Sequence, residues 1–192
     1  MKNKKWNEVL FEFFIISFGL LVVFNSAAQN KDKEGYLSIS TGIDVRNGLV
    51  GSDPTNGKPK LDVIYQFSMV GKNIEVNLGY ENFNAIGFEK YTVGVGYHFP
   101  LYGRIGNWEI KTVLIPSIEP TIIGRWGDVW QCSSSHLSIA GNVAFRWFFT
   151  DKIGVELLTN FLPRVDLSAR YPEVNKTIPI IASNYFKIIY KI

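Results

Sequence analysis

Residues 74–81 read Ile-Glu-Val-Asn-Leu-Gly-Tyr-Glu, which puts Ile74, Val76, Leu78 and Tyr80 on one parity and Glu75, Asn77, Gly79 and Glu81 on the other. Alternation at period two belongs to a strand whose two faces meet different surroundings. The pattern extends outward in both directions. Upstream, Leu37, Ile39, Thr41, Ile43 and Val45 oppose Tyr36, Ser38, Ser40, Gly42 and Asp44, and Leu61, Val63, Tyr65, Phe67 and Met69 oppose Asp62, Ile64, Gln66 and Ser68. Downstream, Tyr91, Val93, Val95, Tyr97 and Phe99 oppose Lys90, Thr92, Gly94, Gly96 and His98.

Four more segments follow. Trp108, Ile110, Thr112, Leu114, Ile118 and Ile122 oppose Glu109, Lys111, Ser117 and Glu119; Leu137, Ile139, Val143, Phe145 and Trp147 oppose His136, Ser138, Asn142 and Arg146. Val155, Leu157, Thr159 and Phe161 oppose Glu156, Leu158 and Asn160, and Ile180, Phe186, Ile188, Tyr190 and Ile192 oppose Ser183, Lys187 and Lys191. Gly71-Lys72-Asn73 and Thr150-Asp151-Lys152 are short turns, and Pro100 to Asn107 reads as another turn. Pro116 and Pro120 are misfits, because proline cannot donate to a ladder; they predict a bulge or a strand that rises beyond its partners. No stretch beyond residue 28 shows a helical period, so the expected class is all-β, with eight antiparallel strands.

The placement of charge says what surrounds the strands. The apolar faces carry no Asp, Glu, Lys or Arg, whereas the opposite faces carry Asp44, Asp62, Glu75, Glu81, Lys90, Glu109, Lys111, Glu119, Arg146, Glu156, Lys187 and Lys191. A charge facing lipid near the midplane costs about 2–4 kcal/mol in a barrel. An open sheet edge inside a bilayer leaves backbone groups unpaired, so such a sheet has to close. The expectation is an up-and-down transmembrane β-barrel with lipid outside and a polar lumen.

The start of the chain agrees. Lys2, Lys4 and Lys5 precede an apolar run over residues 13–24 (FFIISFGLLVVF), and Ser26-Ala27-Ala28 supplies small residues before Gln29. That is the order of a secretory signal peptide, and the run falls short of the roughly 20 residues a spanning helix needs. Residues 1–28 are therefore expected to be a cleaved leader and 29–192 the barrel domain. The full chain holds 20 basic and 17 acidic residues; removing Lys2, Lys4, Lys5, Glu8 and Glu12 with the leader leaves 17 and 15. That near balance, scattered along the chain, gives no basic run for nucleic acid. The single cysteine, Cys132, excludes an internal disulfide, and His98 and His136 are too far apart in sequence to suggest a metal.

Long connections at 47–59, 82–88, 125–135 and 163–177 alternate with shorter ones. In outer-membrane barrels the long loops face the cell exterior, with both termini periplasmic. Tyr36, Tyr97, Phe99, Trp108, Trp147 and Tyr190 would then form an interfacial aromatic girdle. With its leader, its eight segments and its ending Phe186-Lys187-Ile188-Ile189-Tyr190-Lys191-Ile192, the chain resembles the small eight-stranded outer-membrane β-barrel family of OmpX-like and OmpW-like proteins, in its Bacteroidota form. Such barrels usually end in Phe or Trp, whereas this chain ends in Ile192. The resemblance implies an integral, monomeric outer-membrane protein that meets outer-membrane lipid and lipopolysaccharide, and the barrel-assembly machinery during biogenesis. It implies no cofactor and no activity.

Three groups of residues are candidates for function. Asp62, Glu75, Glu81, Lys111, Glu119, Arg146, Glu156 and Lys187 should form a charge network in a lumen that eight strands leave just wide enough for side chains to fill. Trp126, Trp130, Arg170 and Tyr171 fall in exterior loops, where aromatics beside arginine can anchor a partner. His136-Leu137-Ser138 is similar to the His-x-Ser pair of lipid A deacylases, which are barrels of the same size. Here Ile139 stands where an Asn is usual, no carboxylate lies within the next dozen residues, and the parity turns the pair inward. The reading carried forward is a non-enzymatic barrel in envelope integrity or surface binding, with a deacylase-like enzyme as the alternative.

Overall fold

The computed structural model describes residues 35–51, 55–105, 108–126, 134–170 and 177–192, with side chains except at 103–105, 108–111 and 170. The predicted leader and Cys132 lie outside the described residues. Strands β1 (Tyr36–Asp44), β2 (Val63–Gly71), β3 (Ile74–Phe83), β4 (Phe88–Tyr97), β5 (Phe99–Ile105), β6 (Trp108–Arg125), β7 (Ser134–Phe148), β8 (Ile153–Pro163) and β9 (Ile180–Lys191) form one antiparallel sheet. The sheet closes because β1 pairs with β9 and β4 with β6. Segments β4 and β5 follow one another on a single stave: Phe88 opposes Arg125, and Ile105 opposes Trp108, in one unbroken register along β6. The result is a closed eight-stranded antiparallel barrel.

Each ladder keeps a single offset, so no bulge interrupts the described strands. One circuit shows the stagger. Tyr36 opposes Val70, Glu75 opposes Val70 and Gly96, Ser117 opposes Gly96 and Asn142, and Asn160 opposes Asn142 and Ser183. Ser183 lies two residues before Tyr185, the partner of Asp44, so the circuit closes at position 46, a shear of ten residues from Tyr36. A shear of that size tilts the strands by roughly 35–45° and brings side chains from distant sequence positions to one height in the bore.

The prolines are accommodated without the expected bulge. Pro116 and Pro120 stay in register with Val143 and Ile139 on β7, while pairing to β4 lapses opposite Pro120, at Val93 and Gly94, and again opposite Pro116, at Tyr97 and His98. A residue with no N–H forfeits bonds on one side only. The segment read as a turn from Pro100 to Asn107 is largely strand: β5 pairs along β6 to Ile105. That connection is therefore tight, like the turns after β2 and β7. The opposite end bears the remaining connections; the one expected to be long at 82–88 is only residues 84–87, and two others carry short helices that the period-two pattern does not announce: α1 (Val45–Leu49), capped by Asp44 Oδ1 accepting from the Asn47 N–H at 2.6 Å, and α2 (Val165–Arg170).

The polarity of the barrel is reversed relative to a soluble one. Its buried side chains include Glu75, Arg146, Glu156 and Lys187, at 0–2% exposure, whereas Leu137 is 73% exposed and Leu157, Phe186 and Ile188 stand out on the outer wall. Monomers in water rarely expose contiguous apolar patches beyond a few hundred Å². Near the terminal end Tyr97 and Phe99 lie 4.7 Å apart with tilted rings, and Trp147 meets Phe149 edge-on at 5.3 Å, where the girdle is expected. Tyr36 does not join them: it lies on the inward parity, edge-on to Phe148 at 6.1 Å, with Lys191 over both rings. The Trp108 side chain lies outside the described residues.

Gly42 shows how tightly the wall is fitted. A Cβ there would come within 2.5 Å of Lys187 Cγ, and it would also press on the Phe186 carbonyl. Overpacking of this kind costs about 1–3 kcal/mol. Gly42→Val is expected to lower stability in urea by that amount and to push Lys187 off its carboxylate partner. Gly141→Ala, where nothing lies within 4 Å, serves as the neutral control.

Candidate functional site

The lumen is built by the inward parity of every stave, and it is filled in layers. Nearest the terminal end, Tyr36, Phe148 and Lys191 close the bore. Above them Arg146 on β7 reaches across to Glu75 on β3, three staves away around a ring of eight. Its Nη1 and Nη2 lie 2.9 and 3.0 Å from the two Glu75 oxygens, its Nε donates to Glu156 Oε2 at 2.7 Å, and Nη1 also donates to the Tyr36 hydroxyl at 3.1 Å. Lys187 pairs with Glu156 and Gln66, and His98 Nε2 lies 2.6 Å from Glu75 Oε2. Arg146, Glu156 and Lys187 are direct cross-strand neighbours, so the β7–β8–β9 register alone places three of these charges. Two carboxylates face two fixed cations. Charges this deeply buried survive only when paired and hydrogen-bonded.

The next layer is apolar: Ile64, Ile115, Ala144, Leu158 and Tyr185 pack together, and Lys90 lies over the Tyr185 ring at 5.5 Å. Lys90 pairs with Glu81 beside this layer, and Asn160 donates to Asn142. At the loop end Phe83, Phe88, Ile123, Ala140 and Leu162 form a second apolar layer under α2. Arg125 is clamped there by Asp166, with Nε 2.7 Å from Oδ2, and Arg164 holds the same carboxylate at 2.8 Å; both guanidinium groups lie over the Phe88 ring. A cavity of about 350 Å³ opens beside this cap, lined by Asp44, Asp62, Glu81, Arg164 and Tyr185 among others.

Of the eight charges expected in the lumen, Glu75, Arg146, Glu156 and Lys187 come together in one network and Glu81 belongs to the Lys90 pair. Asp62 is buried at the loop end, where it accepts from Asn47 Nδ2 at 2.8 Å, and Glu119 is buried with a hydrogen bond to Asn142. The Lys111 side chain lies outside the described residues. The Arg125–Asp166–Arg164 clamp escaped the sequence reading because Arg125 ends a strand and the other two belong to a connection, where parity gives no direction. Among the loop candidates Trp126 is 38% exposed, and its backbone N–H donates to the Gly87 carbonyl at 2.9 Å. Gly87 sits at φ 55°, and a Cβ there would collide with the Trp126 carbonyl. Trp130 and Tyr171, and the Arg170 side chain, lie outside the described residues.

His136 and Ser138 both lie on the inward parity, on either side of the exposed Leu137. The Ser138 hydroxyl donates to the Pro163 carbonyl at 2.7 Å. A nucleophilic serine needs its proton directed at a base, and this one is directed at a backbone oxygen. Among the described residues no group of three or more His, Cys, Asp or Glu side chains could hold a metal ion.

No described protein family matches the chain, and no curated protein matches it in sequence. Among solved structures it is similar to the N-terminal β-barrel domain of Pseudomonas aeruginosa OprF, at 9% identity over 83% of this chain and 98% of that one, with a TM-score of 0.51. It is also similar to Neisserial surface protein A, at 10% identity over 82% and 95%, with a TM-score of 0.50. The Yersinia pestis outer membrane protein Ail matches over 83% and 100% at 14% identity and a TM-score of 0.40. At these identities the first two likenesses show the fold, that of small outer-membrane barrels.

Proposed function

We propose that the chain is an integral outer-membrane barrel of the OmpX-like or OmpW-like kind, non-enzymatic, with a lumen that is a side-chain plug and with exterior loops that serve surface contact or envelope integrity. One observation carries the reading: charges are buried and paired inside, while large apolar side chains are exposed around the outer wall. Closed barrels satisfy every strand edge, which lipid requires and water does not. The layers of the lumen support a plug over a channel, since Arg146 bridges the bore between an aromatic closure and an apolar layer. The Ser138–Pro163 bond speaks against the deacylase-like alternative.

Two measurements test this. Unheated protein from membrane fractions should migrate differently from boiled protein in a denaturing gel, and a soluble periplasmic species would sink the location. Planar-bilayer recording of the refolded barrel should give no stable conductance; reproducible openings would replace the plug with a pore.

A further inference from the structure

The outer wall is not uniform. Across β9, β1, β2, β3 and β4 the outward side chains at one height are Ile188, Thr41, Tyr65, Tyr80 and Tyr91. Thr41 is short between taller neighbours, and an apolar groove of about 820 Å³ lies over it, bounded also by Leu78. A second hollow of about 690 Å³ continues toward the loop end, sharing Tyr65 and Tyr80 with the first, and its lining adds the polar Asn82, Asn84 and Lys60 to the apolar Leu61, Val63 and Ala85. Lys60 is exposed, its backbone N–H is fixed to the Asn47 carbonyl at 2.8 Å, and Lys58 is exposed two residues earlier. Glu89, the carboxylate near this rim, is separated from Lys60 by β3 and accepts from the Tyr91 hydroxyl at 3.3 Å.

We propose that this groove seats one anionic outer-leaflet lipid, its acyl chain over Thr41 between Tyr65 and Ile188 and its phosphate against Lys60. The inference rests on the membrane reading above and adds a headgroup preference to it. An apolar trough that ends in a cation at the interface matches the two parts of such a lipid, and each lysine near an anionic surface contributes about 1 kcal/mol.

The test uses the barrel refolded into nanodiscs of phosphatidylcholine with one-tenth phosphatidylglycerol, followed by native mass spectrometry of the released protein. Phosphatidylglycerol should be enriched in the bound lipid about fivefold over its bulk share, the effect of one lysine. Lys60→Glu should abolish the enrichment while a lipid is still retained, and Thr41→Trp should abolish retention. Entry into nanodiscs with no enrichment, or enrichment that survives both variants, overturns the groove alone. Failure of the wild-type barrel to enter nanodiscs overturns the membrane reading and the groove with it.

Discussion

Arg146→Met is expected to be the most damaging single change in the lumen, costing about 3–5 kcal/mol, because it leaves two buried carboxylates without their shared cation. Arg146 holds both Glu75 and Glu156, and at 1% exposure neither carboxylate has an escape to water. Methionine fills much of the same volume, so the loss reports charge rather than a cavity. With a urea dependence of about 2 kcal/mol per M, the unfolding midpoint should fall by roughly 2 M. Adding Glu75→Gln to Arg146→Met leaves Glu156 facing Lys187 as a balanced pair and should recover at least half of the loss. If Arg146→Met shifts the midpoint by less than 0.5 M, or about 1 kcal/mol, the network is not what holds the bore together.

Leu157→Arg is expected to have the next largest effect, and its size depends on the solvent around the barrel. Leu157 lies outward at mid-strand on β8, between Phe145 and Phe186 on its neighbours, and it is 56% exposed. In water an exposed leucine tolerates such a change within about 0.5 kcal/mol. At the bilayer midplane the same arginine costs about 2–4 kcal/mol, falling to about 0–1 near the interface. Leu61→Arg, at a somewhat more exposed position before β2 at the loop end, should therefore be nearly silent. Urea unfolding from phospholipid vesicles checks the pair. Equal effects at both positions would remove lipid as the surrounding medium.

The staves were legible because each one separates two media for most of its length, and period-two parity records that separation directly. Glu75, Arg146, Glu156 and Lys187 could be assigned to the lumen from parity alone, but their convergence could not, since it needs the ten-residue stagger that only the paired registers reveal. Tyr36 shows the limit at a strand end: its own parity is inward, and its aromatic character suggested an interface that it does not reach. Pro100 suggested a turn, yet proline at a strand position that needs no donor leaves the ladder intact. The short helices were unreadable for a different reason. Five or six residues carry too little of a helical period to register, and α1 depends on the Asp44 cap for its start.

The seam between β1 and β9 carries a consequence for the order of events as the chain folds. It joins residues 38–44 to residues 185–191, nearly the full length of the barrel apart, whereas every other described pairing links neighbouring hairpins. Contacts between distant chain positions demand the largest loop-closure entropy and tend to form late. Lys187 arrives on that last strand and supplies the second cation of the central cluster. Until it docks, Glu156 has only the arginine it shares with Glu75, so closing the wall and neutralising the interior become one step. A mutation at Lys187 should then slow the final zippering more than it disturbs the hairpins that precede it.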